Sequence, residues 1–107
     1  MIATENMRVA NKILSQLGGH RFTVITRSKQ YAAGENYLRM NLAKNKSGAN
    51  RLEIKLNGLD LYDMTFYRQT IHKTGEITIT KTKKFSYVYF DMLVGIFEET
   101  TGLYTHL

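Results

Sequence analysis

The 107-residue sequence predicts an α+β fold: an antiparallel meander of about five strands, with an N-terminal and a C-terminal helix packed on one face. Three observations carry that prediction. Apolar residues recur every three or four positions up to Leu17 and again beyond Ser86. Between those segments, short stretches alternate apolar and polar residues, as half-buried strands do. The stretches are joined by short polar turns, which favour neighbouring antiparallel strands. No linker, repeat or low-complexity run divides the chain, so residues 1–107 read as a single domain.

Thr4 is placed to cap the first helix, whose apolar positions are Met7, Ala10, Ile13, Leu14 and Leu17. Gly18 and Gly19 stop it, because glycine enters the left-handed conformation without steric cost. "RFTVITR", residues 21–27, reads as a strand whose facing is ambiguous, since Phe22, Val24 and Ile25 are all apolar. "YAAGEN" either continues that strand or bends at Gly34. "NYLRMNLA", residues 36–43, alternates cleanly: Leu38, Met40 and Leu42 inward, Tyr37, Arg39 and Asn41 outward. "KNKSGAN" is a polar loop. "EITITKT", residues 76–82, forms a strand after the turn "HKTG", with Ile77 and Ile79 buried and Thr78 and Thr80 exposed. Ser86 is the expected N-cap of the last helix, with Phe85 and Phe90 as a hydrophobic staple. Its stripe is Tyr89, Met92, Leu93, Ile96 and Phe97, and Gly102 ends it, with Leu103 folding back on Phe97.

The segment "RLEIKLNGLDLYDMTFYR", residues 51–68, reads as a hairpin with two competing registers. A two-residue Asn57-Gly58 turn of type I′ pairs Leu56 with Leu59, Ile54 with Leu61 and Lys55 with Asp60. It leaves Met64 and Phe66 on the wrong face, forgoing burial of about 1.5 to 3 kcal/mol each. A three-residue turn with Gly58 as a bulge buries Tyr62, Met64 and Phe66 but sets Asp60 beside Ile54. The Asn-Gly turn followed by a bulge at Tyr62-Asp63 reconciles the two halves. The expected core is then Leu52, Ile54, Leu56, Leu59, Leu61, Met64 and Phe66.

Composition narrows the function. There are no cysteines, which excludes disulfides and thiolate metal sites, and His20, His72 and His106 lack ligand spacing. No phosphate-cradling glycine loop, nucleophile elbow or metal-binding helix appears, so no cofactor and no enzyme activity are expected. No signal core or membrane span is visible, which reads as a cytoplasmic protein. The formal net charge of +6, from 15 Lys and Arg against 9 Asp and Glu, favours a polyanionic partner or an acidic protein surface. On the outward sheet face the expected site is Tyr37, Arg39, Arg51, Lys55 and Tyr67, with Thr65 between them. Basic side chains interleaved with flat rings suit single-stranded nucleic acid: charge follows phosphate and rings stack on bases. Glu53 and Asp60 share that face, as on any solvated sheet. The run "TKTKK" adds Lys81, Lys83 and Lys84 as a second basic cluster, in what reads as a solvated loop before the last helix.

"LGGHRF", "LNGLDLYDMTF" and "TGLYTHL" resemble recurring marks of small uncharacterised proteins encoded by bacterial phages and mobile elements. The resemblance spans most of the chain and implies a genomic setting, with no site residues attached. Two functions stay open. One is a non-catalytic accessory protein that binds nucleic acid through the basic, tyrosine-bearing face. The other is a protein-binding module on the same face, either an inhibitor of an acidic host protein or a homodimer.

Overall fold

Leu38 and Met40, then Leu52 and Ile54, then Tyr62, Met64 and Phe66 alternate along three successive strands, and all seven are buried. They form the inner face of an antiparallel sheet in the computed structural model, which describes residues 5–34 and 36–105. Two helices come first, α1 (Glu5–Leu17) and α2 (Gly19–Thr26). Five strands follow: β1 (Lys29–Ala33), β2 (Tyr37–Asn41), β3 (Arg51–Leu56), β4 (Tyr62–Ile71) and β5 (Ile77–Val88). A 3-10 turn over Phe90–Met92 leads into the last helix, α3 (Leu93–Thr101). The sheet order is β1-β2-β3-β4-β5 and every pairing is antiparallel. Ala10, Ile13 and Leu17 of α1, Phe22 of α2, and Leu93 and Phe97 of α3 share one core with the sheet's inner residues. The meander with helices on one face is therefore as expected, with one helix more.

That extra helix replaces the strand expected over 21–27. The β-branched run Thr23-Val24-Ile25-Thr26 favours a strand by propensity. Helical spacing nevertheless brings Phe22 and Thr26 to the core while Val24 stays 60% exposed. The threonines are satisfied inside the helix: Thr26 Oγ1 donates to the Phe22 carbonyl at 2.7 Å. Thr23 Oγ1 is 2.6 Å from the Tyr31 hydroxyl, tying α2 to β1. Gly18 and Gly19 have φ of 125° and 62°, so the expected stop of α1 holds. The Thr4 cap, and the facing expected of Met7, lie outside what the structure describes. Gly34 makes the bend between β1 and β2. A Cβ there would lie 1.8 Å from the Tyr37 ring, so any larger residue would have to displace that ring.

The β3–β4 hairpin follows neither expected register. Leu56 pairs with Tyr62, Lys55 with Asp63 and Ile54 with Met64, leaving a five-residue loop over 57–61 and no bulge in β4. Tyr62, Met64 and Phe66 are buried, whereas Leu59 is 70% exposed and Leu61 half-buried. Placing Tyr62 inside outweighs placing Leu59 inside, because the Tyr62 ring joins the core and its hydroxyl bonds Gln16 of α1. Asn57 organises the loop: its Oδ1 accepts from the N–H groups of Leu59 (2.8 Å) and Leu61 (3.2 Å). The left-handed residue is Asp60 at φ 60°, not Asn57 or Gly58.

The irregularities lie in β5 instead. Its register shifts between the partners of Tyr62 and Met64, and again between those of Phe66 and Arg68. Tyr87 (φ 57°) and Lys81 (φ 52°) are the residues that absorb the shifts. The first shift lets Phe85 and Val88, three apart, both turn inward, and the bulged Tyr87 N–H donates to Asp63 Oδ1 at 3.3 Å. Strand structure thus runs through the Lys81–Lys84 segment, expected as a loop, and through Ser86, expected as a helix cap. Tyr89 and Met92, expected in the helix stripe, are 58% and 46% exposed, because α3 begins only at Leu93. Ile77 and Ile79 are also exposed, against expectation. β3 pairs with β4 only as far as Tyr67, so Arg68–Ile71 and Ile77–Thr80 project as a two-stranded ribbon with no third layer to cover it. Gly102 ends α3 at φ 75°, its N–H donating to the Glu98 carbonyl at 2.8 Å, and Leu103 packs against the core as anticipated.

Asn57→Ala should lower stability by about 1 kcal/mol, because two loop N–H groups lose their acceptor. Gly58→Ala should change it by less than about 0.5 kcal/mol, since a Cβ there meets nothing within 4 Å. Thermal melts of the two variants decide this, and a larger loss at Gly58 than at Asn57 would contradict the loop. Burial raises the phenol pKa values of Tyr31 and Tyr62 above their ordinary 10.0. Hydrogen bonds from Thr23 and Gln16 respectively oppose the rise, and Asp60 adds to it at Tyr62. A pKa raised on folding stabilises fully below the unfolded value and loses that contribution as pH climbs through the folded one. Denaturant midpoints should therefore hold up to about pH 10 and fall as pH rises beyond it, and fall less in Tyr62→Phe.

Candidate nucleic-acid interface

Because the helices cover only the inner face, the odd-numbered residues of β2, β3 and the first half of β4 form an outer face in three cross-strand rows. Asn41, Arg51 and Tyr67 make the first row. Arg39, Glu53, Thr65 and Lys84 make the second, and Tyr37, Lys55 and Asp63 the third. Six of the eight residues expected at the site are thus brought together: Tyr37, Arg39, Arg51, Lys55, Tyr67 and Lys84. Lys81 and Lys83 are not. Lys83 lies opposite Phe66, on the helix side, and Lys81 turns the same way through its bulge.

Two of the rows set opposite charges side by side. Arg39 Nη2 is 2.9 Å from Glu53 Oε1, and its guanidinium lies 5.1 Å from the centre of the Tyr37 ring. The bond to Glu53 holds Arg39 even further above its ordinary pKa, against the opposing effect of partial burial and with smaller help from Tyr67 and Tyr37. Lys55 stands directly opposite Asp63, and Arg51 Nη1 donates to the neighbouring Asn50 carbonyl at 3.0 Å. Asp60, expected on this face, is in the loop beyond it.

The two tyrosines are held rather than free. Tyr37 packs against the Gly34 backbone, with Arg39 over its ring. Tyr67 is only 9% exposed, although it points away from the core. It lines a shallow depression of about 280 Å³ with Glu53, Thr65, Ile79 and Thr82. Ile79 belongs to this wall because it pairs with Gln69 on the outer face, a placement the sequence alternation had reversed.

Sequence reasoning missed a second concentration of charge on the helix side. Lys46 and Ser47 of the β2–β3 loop meet Lys81 and Lys83 across a groove of about 730 Å³ whose floor includes Phe66 and Phe85. Lys44 and Arg68 flank a neighbouring hollow beyond Gly48, and Arg68 Nη1 donates to the Gly48 carbonyl at 3.1 Å. The lysines of that loop were visible as charges. Their meeting with β5 depends on the loop docking to α3, through Lys46 N–H to the Thr101 carbonyl at 3.2 Å, which no local pattern encodes.

Among the described residues, no cluster of His, Asp or Glu could hold a metal ion, and no helix is long and apolar enough to cross a membrane. Compared with protein-family models, curated proteins and solved structures, the chain matches none.

The Arg39–Glu53 pair is partly exposed, at 43% and 28% for the two side chains. A double-mutant cycle with Arg39→Ala and Glu53→Ala should give a coupling of about 0.2 to 1 kcal/mol that shrinks with added salt. A coupling of zero at low salt would mean that the pair does not persist in solution.

Proposed function

We propose that this is a small, non-catalytic accessory protein that binds single-stranded nucleic acid on the open sheet face. The observation that carries the reading is the uncovered face itself, where Arg51 and Lys55 stand four residues apart on β3 and Lys84 two strands away on β5, around the Tyr67 depression. Adjacent strands are about 4.8 Å apart, so the three cations span a surface broad enough to follow a phosphate chain. The depression beside Tyr67 offers an apolar wall for a base, and Tyr37 a second ring at the far edge of the face. Arg39, engaged by Glu53, contributes orientation more than free charge. The likeness to phage and mobile-element proteins suggests the setting and carries no part of this argument.

Ile71, Ile77 and Ile79 are more than half exposed on the same side of the β4–β5 ribbon, which favours a second reading: a protein-binding module or homodimer using that face. Salt separates the two, because phosphate contacts release counterions and apolar contacts do not.

Fluorescence anisotropy with single-stranded and duplex oligonucleotides at two salt concentrations tests the proposal. Arg51→Ala and Lys55→Ala should each weaken binding across sequences and flatten the salt dependence by about 0.7 in log–log slope. Tyr37→Ala should cost about 1 to 3 kcal/mol with little change in slope. Absence of binding to either form at low salt would overturn nucleic-acid binding and leave the protein partner.

A further inference from the structure

We infer that a bound strand does not end at the open face but crosses the β5 edge into the helix-side groove, where Lys46, Lys81 and Lys83 hold its phosphates. This rests on the nucleic-acid reading and extends the interface to the opposite side of the sheet. β5 is an edge strand, so no neighbouring strand blocks passage around it. Lys84 opposes Thr65 on the open face and Lys83 opposes Phe66 on the helix side, so consecutive residues put an ammonium on each side of the same edge. Thr82 lines both the open-face depression and the groove, which makes the two hollows adjacent across the bulged part of β5.

Charge in the groove is unbalanced. Glu99 is the acidic residue lining it, and none of the three lysines forms an ion pair with a described residue. The lysines are also placed. The Lys46 stem runs along Gly102 at the end of α3, where a Cβ would come within 3.1 Å of its Cδ. The Lys81 stem lies against Gly48 in the same way, at 2.9 Å, and Lys83 Nζ is 5.4 Å from the centre of the Phe85 ring. Lys81 holds φ 52°, an uncommon conformation for a side chain with a Cβ, and the bulge directs it into the groove. Lysines on an edge strand also discourage strand addition. That role requires only exposure. It calls neither for a left-handed Lys81 nor for a third lysine brought from another loop.

The left-handed backbone supplies a clean variant: Lys81→Gly removes the ammonium while easing the conformation, so its melting midpoint should stay level or rise. Lys46→Ala provides an independent removal from the other wall. Anisotropy would compare single strands of about 4 and about 16 nucleotides for the wild type, Lys46→Ala/Lys81→Gly and Arg51→Ala/Lys55→Ala. The groove variant should bind the long strand several-fold more weakly, with the slope flattened by about 0.7 per lysine removed, and bind the short strand almost as wild type. The open-face variant should weaken both. An unchanged long-strand affinity and slope in the groove variant, with the open-face variant impaired, would overturn the crossing and leave the open-face reading intact. Equal losses on both lengths in the groove variant would place the whole site in the groove and overturn the crossing as well. If neither strand binds the wild type at low salt, both readings fall.

Discussion

The ring of Phe97 packs edge-on against Phe22 at 4.9 Å and lies 6.4 Å from Phe66, joining α2, α3 and the sheet at one fully buried side chain. Phe66 in turn meets Phe85 of the edge strand at 6.1 Å. This line of rings connects the beginning, middle and end of the chain. Edge-to-face pairs add about 0.5 to 1.5 kcal/mol beyond the area they bury, so the direction of packing matters as well as its amount. All of it lies on one side of the sheet. The helices gather where Phe97 can be covered, and the other face is left uncovered by any helix.

Such an arrangement needs exact strand registers, because a one-residue slip would exchange the two faces. With no proline in the chain, asparagine does much of that work. The Asn50 amide donates to the Gln69 carbonyl at 2.9 Å and accepts its N–H at 2.8 Å, so one side chain continues the β3–β4 ladder past the end of β3. Asn36 Nδ2 donates to the Leu56 carbonyl at 3.0 Å while the Asn36 backbone carbonyl accepts the Leu56 N–H at 2.8 Å. Asn45 bridges the carbonyls of Ala43 and Ala49 and accepts from Ser47, closing the loop that carries Lys46. Asn57 closes the next loop. Each amide can give and take a hydrogen bond as a peptide group does, which fixes register from outside the strands.

Where local pattern and tertiary demand agree, the sequence was readable. Leu38, Met40, Leu52 and Ile54 alternate strictly and are buried as expected, and the glycine stops after α1 and α3 fall where they should. Where they conflict, tertiary demand wins. The β-branched α2 is helical because Phe22 must reach Phe97. The Asn57-Gly58 pair looked like a two-residue turn, but the core takes Tyr62 in preference to Leu59. In β5 the clue was present in the spacing of Phe85 and Val88, which an unbroken strand cannot turn the same way. The bulge at Lys81 had no such clue, and the strand's ordinary alternation sets Lys83 and Lys84 on opposite sides of the sheet. The candidate site was therefore legible on the inner strands and illegible at the edge.

The same distinction governs where positive charge can collect. An inner strand has a neighbour on each side, and two like charges directly opposite one another destabilise the pair. On β2, β3 and β4 each outward cation faces a carboxylate, a ring or a neutral residue: Arg39 with Glu53 and Ala32, Lys55 with Asp63 and Tyr37, Arg51 with Asn41 and Tyr67. An edge strand has one neighbour, so its lysines escape half of that constraint. Lys83 and Lys84 face Phe66 and Thr65 on their single partner, with no carboxylate directly opposite. Surplus charge in the middle of the open face is thus held to Arg51, and the rest gathers along β5 and the loop docked beside it. An interface for a polyanion on this fold is drawn toward that edge, whichever face first meets the ligand.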